Sequence, residues 1–175
     1  MQRMIRIVLP VLFLGSSALF LAGCAASGAS AADMQKRQQA MAQSDHLIVP
    51  RERIGPVRLG MGMDEVIAEL GQPDFNGVMN GDHPLWRYWS LNLTIGFDNS
   101  SAPAVYCVET NTWTDSPLLT LFNTTEGIHI GSSSFDVKRA YGSPERSYPN
   151  TMIYDSRKFT FVIENYTVTS IQVGP

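Results

Sequence analysis

Cys24 is the residue whose chemistry the sequence specifies most sharply. It follows Leu21-Ala22-Gly23, so small residues lead straight into a thiol at the end of a short apolar run. Arg3 and Arg6 give that run a positive start, and Pro10 and Gly15 interrupt the stretch from Ile7 to Leu21. This layout is a secretory signal closed by a lipoprotein cleavage box. It predicts a signal peptide over 1–23, cleavage before Cys24, and acylation of the Cys24 thiol and the new amino group. Lipid on Cys24 then anchors the chain to a membrane. The apolar run is too short and too interrupted for a spanning helix, which needs ~20 apolar residues.

Other residue types that could do chemistry are scattered. His46, His83 and His129 show no spacing of a metal site with one another or with a cysteine, so neither a metal nor a cofactor is expected. With Cys24 acylated, Cys107 is left alone in the alternation Val105-Tyr106-Cys107-Val108, which suits a buried strand thiol. Ser132-Ser133-Ser134 lacks the Gly-x-Ser-x-Gly setting of a nucleophile and precedes a helical pattern, where serine caps. Asp64-Glu65 stands at another helix start, where the macrodipole favours acids. No constellation supports an enzyme. The chain carries 13 basic and 16 acidic residues, and losing Arg3 and Arg6 makes it more acidic. It has no basic cluster of the kind nucleic-acid binding requires.

Trp86-Arg87-Tyr88-Trp89, with Trp113 further on, is the one stretch that suggests binding. Aromatic and arginine side chains dominate interface hot spots. Either these rings fill the core, as Met152 and Tyr154 would in a matching stretch, or they form an exposed patch. Parity along the strand does not choose between them.

The elements that position these residues come as a repeat with an offset of 71 residues. Gly60, Val66, Gly71 and Pro73 match Gly131, Val137, Gly142 and Pro144. Each copy reads as an extended segment, a cap at Gly62 or Ser133, and a helix of about two turns. Gly71 or Gly142 then closes the helix as a left-handed C-cap, and the proline two residues on prevents continuation. Three antiparallel strands are expected after each helix. The alternation of Leu91, Leu93, Ile95 and Phe97 marks one such strand, and that of Phe159, Phe161 and Ile163 another. The expected fold class is α+β: two tandem repeats, each a short helix and an antiparallel β-meander, packed together. The expected divisions are a lipidated, flexible tether over 24–50, repeat one over 51–111, an inter-repeat segment over 112–125 and repeat two over 126–175. The tether is rich in Ala, Ser and Gln; Met34 to Met41 suit a frayed helix, but nothing in it is expected to dock.

Leu59-Gly60-Met61, Glu65-Val66, Leu70-Gly71-Gln72-Pro73 and Trp86-Arg87-Tyr88 together resemble the BamE (SmpA/OmlA) family of outer-membrane lipoproteins. That family usually carries one copy of the unit, and a Thr usually stands where this chain has Gly62. Paired helix-plus-sheet units are also similar in architecture to β-lactamase inhibitory protein. The first resemblance implies a non-catalytic protein facing the periplasm from the bacterial outer membrane. It would bind other envelope proteins, as an accessory to outer-membrane protein assembly or envelope integrity. Ala25 rather than Asp after Cys24 agrees with that membrane under the sorting rule of enteric bacteria. The second resemblance implies an inhibitor of a periplasmic enzyme.

Overall fold

Along Thr151–Tyr154 and Phe159–Glu164 buried side chains alternate in step with the pleat, and this period of two helps to build the larger of two sheets. The computed structural model describes residues 29–79, 82–112 and 121–175. The expected signal peptide, Cys24 and Trp113 lie outside the described residues. In chain order the elements are α1 (Ala31–Gln43), β1 (Leu47–Val49), β2 (Arg53–Ile54), β3 (Val57–Arg58), α2 (Met63–Leu70), β4 (Phe75–Met79), β5 (His83–Tyr88) and β6 (Leu93–Phe97). Then follow β7 (Val105–Asn111), β8 (Asn123–Thr124), α3 (Ser134–Tyr141), β9 (Arg146–Tyr148), β10 (Thr151–Tyr154), β11 (Phe159–Glu164) and β12 (Thr167–Val173). The fold is α+β, and among the described residues no helix is long and apolar enough to cross a membrane.

The larger sheet has eight strands in the order β4-β5-β6-β7-β12-β11-β10-β9, every neighbour antiparallel. One row crosses it as Phe75, Arg87, Thr94, Glu109, Gln172, Thr160, Ile153 and Arg146. The row one residue along is Asn76, Trp86, Ile95, Val108, Val173, Phe159 and Tyr154. A shift of one residue changes face, so a largely polar face backs an apolar one. On the apolar side Val66 and Leu70 of α2 and Val137 and Tyr141 of α3 join Ile95, Val108, Phe159 and Phe161 in a single core. The smaller sheet, ordered β3-β2-β1-β8, adds Ile48, Ile54 and Val57 to that core. Its β1–β8 pairing is parallel, so chain from 112–125 is tied to chain from the expected tether.

Three expectations need correction. Residues 24–50 were expected as a flexible tether, but their described part forms α1 and β1. Ser30 caps α1, accepting from the Asp33 amide at 3.2 Å while the Asp33 carboxylate accepts from the Ser30 amide at 3.0 Å. Arg37 and Ala40 are buried. Arg37 makes the buried polar contacts that dock this helix, Ala40 and Met41 add apolar contact with the core, and Asp33 accepts from the Gln72 amide, a mixed set that hydrophobic periodicity does not register.

Each meander has four strands rather than three. The missed strands, β4 and β9, are the two edges of the sheet. β4 contains Asn76-Gly77 and β9 is wholly exposed, so neither shows the alternation of a half-buried strand.

Gly71 and Gly142 do end their helices at positive φ, +74° and +80°, but with ψ of −168° and −160°. That is not the left-handed helical well. It is a region that essentially only glycine populates. At the other ends, the Glu65 carboxylate accepts from the Gly62 amide at 2.8 Å, and the Ser133 hydroxyl accepts from the Asp136 amide at 3.1 Å.

Candidate functional site

The strand β5 and the 3-10 turn after it (Trp89–Leu91) divide the aromatic stretch between the two faces. Trp86 and Tyr88 are buried. Trp86 packs edge-on against Phe97, ring centroids 4.7 Å apart. The Tyr88 hydroxyl donates to the Gly71 carbonyl at 3.0 Å, and burial pushes its pKa up. Neither ring is available to a partner.

Arg87 occupies the other face. Its guanidinium lies over the Phe75 ring at 5.4 Å and over the Trp89 ring at 5.6 Å. The two rings are 6.5 Å apart and are 42% and 39% exposed. Phe75, Arg87 and Trp89 thus form a surface ladder in which the cation lies against both aromatic rings. Sequence reasoning singled out Arg87 and Trp89 as candidates and did not include Phe75. The available signal was Gly77, two residues along the same face. The Phe75 ring covers it so closely that a Cβ there would sit 2.6 Å from the ring.

Asp74 and Arg37 hold the ladder in place. The Asp74 carboxylate accepts from the Trp89 backbone amide at 2.7 Å. Arg37 Nη1 donates to the same carboxylate at 2.8 and 3.0 Å and to Ser90 Oγ at 3.1 Å. Its Nη2 donates to the Gln72 carbonyl at 2.6 Å, its Nε donates to the Leu70 carbonyl at 3.3 Å, and the guanidinium lies 4.8 Å over the Tyr88 ring. The pair is almost completely out of water. A buried pair is tolerated when its remaining donors find partners, as they do here. The sequence neighbour of Arg37, Lys36, is exposed. No periodicity singles out which of the two carries the load.

The remaining candidates sit apart. Ser133 bonds only within its own cap, donating to the Asp136 carboxylate at 2.6 Å. Ser132 Oγ accepts from the His129 amide at 3.0 Å, while His129 Nδ1 lies 2.7 Å from the Ile130 carbonyl. His129 is half-buried and forms an isolated antiparallel bridge with Asn123. The rings of His46 and His83 lie against the Met41 and Phe97 carbonyls at 2.8 and 3.2 Å. Cys107 is buried, and burial raises its thiol pKa, which disfavours the reactive thiolate. Among the described residues no three His, Cys, Asp or Glu are grouped to hold a metal ion. Among the described residues the exposed Phe75 and Trp89 rings around Arg87 are grouped on one surface.

No family model matches the chain, and no curated protein matches it. Two solved structures are distantly similar. An extracellular protein containing an SCP domain, from Bacillus anthracis, matches with a TM-score of 0.40 and 11% identity over 65% of this chain; the match spans 43% of that protein. A DUF4309 family protein, YjgB of Bacillus subtilis, matches with a TM-score of 0.41 and 11% identity over 80% of this chain and 93% of that one.

Proposed function

We propose that this chain is a non-catalytic lipoprotein of the bacterial outer membrane. Cys24 anchors it, it faces the periplasm, and it binds other envelope proteins through the ladder of Phe75, Arg87 and Trp89. The observation that carries this reading is the ladder itself. Two large rings and an arginine, the residue types richest in binding energy, stand partly exposed on a rigid sheet. A buried ion pair fixes their backbone. Trp86 and Tyr88 support the site from the core, and Trp113 is retained as a contact to be tested.

The proposal includes a tandem origin for the two halves, supported by hydrogen bonds that recur. Gly60 donates to the Val105 carbonyl at 2.7 Å and Gly131 to the Val168 carbonyl at 2.9 Å. The Tyr154 hydroxyl donates to the Gly142 carbonyl at 2.9 Å, as Tyr88 does to Gly71. Asn92 and Lys158 both close a 3-10 turn at positive φ. The halves part at the ladder. Register places Arg146 and Ile153 where the first half has Phe75 and Arg87, and Asp155 opens the turn where Trp89 does. An Arg146–Asp155 ion pair therefore stands in place of the aromatic ladder. Shared caps and core with divergence at one surface site is the pattern expected when one half has specialised for binding.

A photo-crosslinking residue in place of Trp89, activated in intact cells, tests the reading. Adducts to outer-membrane assembly components support it. An adduct to a soluble hydrolase favours the inhibitor reading instead. Absence of any protein adduct refutes a binding role for the ladder.

A further inference from the structure

Beside α1 runs an almost wholly apolar groove of about 280 Å³ that the proposed function does not use. Met34, Gln38 and Met41 line it from one face of the helix, and Leu91 and Leu121 line it from the body. Arg37 and Ser90 also border it, but the Arg37 donors are directed to Asp74, the Ser90 hydroxyl, the Gln72 and Leu70 carbonyls and the Met34 sulfur. The groove therefore presents thioether and aliphatic surface and little to bond a polar headgroup. Its volume falls just below the ~300–1,000 Å³ of drug-sized ligand sites. That suits a stretch of one alkyl chain better than a pair of them. Methionine linings adapt to an occupant without fixed shape.

Chain length supplies the occupant. Six residue steps separate Cys24 from Ser30, the cap of α1. They reach at most ~20 Å. Met34 and Met41 lie roughly 6 and 17 Å along the helix axis from that cap. Any acyl group on Cys24 is thus held within reach of the groove, at an effective concentration in the millimolar range. We propose that the groove seats one acyl chain of the chain's own Cys24 when the protein is out of a bilayer. This rests on the lipidation reading given above.

Two measurements test it. In the first, the full chain carrying Cys24→Ser, which has no acyl group of its own, is titrated with octanoate, decanoate and dodecanoate by calorimetry. Affinity is expected to rise about fourfold per methylene added until the groove is filled. Met34→Asp, at a surface position whose sulfur accepts from Arg37 Nη1, is expected to abolish binding while the protein stays folded at the temperature of the titration. A flat response to chain length, or binding that survives Met34→Asp in a folded protein, overturns the proposal.

In the second, cells are fed a photoactivatable palmitate analogue. The acylated wild-type chain is then purified and irradiated without detergent. An intramolecular adduct on the peptides carrying Met41 or Leu91 is expected. A labelled Cys24 with no such adduct overturns the groove as the acyl site and leaves the anchor reading intact. An unlabelled Cys24 sinks both.

Discussion

Gly71→Ala and Gly142→Ala should have unlike effects, although the sequence sets the two glycines in the same motif. Both hold positive φ with extended ψ, a conformation costing a non-glycine residue roughly 1–3 kcal/mol. At Gly142 a Cβ meets nothing within 4 Å, so the strain is the whole effect. At Gly71 the Cβ would stand 2.4 Å from Asp33 Oδ1 and 2.8 Å from Asp33 Cα. The second of these is backbone, and no rotamer relieves it. Helix α1 must move away, taking with it the 2.9 Å bond from the Gln72 amide to Asp33 and disturbing the contact of Arg37, about one turn further along α1, with its partner Asp74. Breaking a buried ion pair costs roughly 3–5 kcal/mol. Partial loss of it adds an estimated ~1–3 kcal/mol to the shared strain. For a chain of this size 1 kcal/mol moves the melting temperature by about 2–4 °C. Gly142→Ala should therefore lower the melt by roughly 2–12 °C, and Gly71→Ala by several degrees more. Hydrogen exchange should localise the excess to amides of α1. Equal melts, or equal exchange in α1, would refute the docking of α1 over Gly71.

Other consequences are as direct. Arg37→Ala leaves Asp74 buried without its counter-charge and should destabilise by about 3–5 kcal/mol. It should also open the bond after Lys36 to trypsin, which cuts there slowly or not at all in the wild type. Trp89→Ala and Arg87→Ala should each weaken partner capture by about tenfold or more with little change in the melt. Trp86→Ala should instead cost about 3–5 kcal/mol of stability, because that ring is core. The Ser30 hydroxyl and the Gln72 amide hold Asp33 below its ordinary pKa of 3.8. Its contribution is therefore complete above about pH 4 and lost as pH falls below that value. The difference in melting temperature between wild type and Asp33→Asn should shrink from pH 5 to pH 2.5; a constant difference would contradict the sign. Cys24→Ser should abolish acyl labelling and release the chain from membranes.

By itself the sequence determined the local structure. Glycine, serine and proline at fixed offsets set where α2 and α3 start and stop, because caps and backbone freedom are properties of a few consecutive residues. Alternation along Phe159–Glu164 set a strand with one face in the core, since the pleat turns every second side chain inward, and the apolar positions of Leu93–Phe97 set one that is buried on both faces. What required tertiary structure was everything decided by residues distant along the chain. The parity of Trp86 against Arg87 became meaningful only when register against Ile95 and Thr94 assigned each to a face. Phe75 entered the ladder because β4 pairs with β5 at the sheet edge, where no hydrophobic pattern marks a strand. Helix α1 looked like tether because its docking rests largely on polar contacts of Arg37 and Asp33 with distant residues, which leave no hydrophobic period. Arg37 could be distinguished from Lys36 only by the carboxylate 37 residues away that folding brings to it.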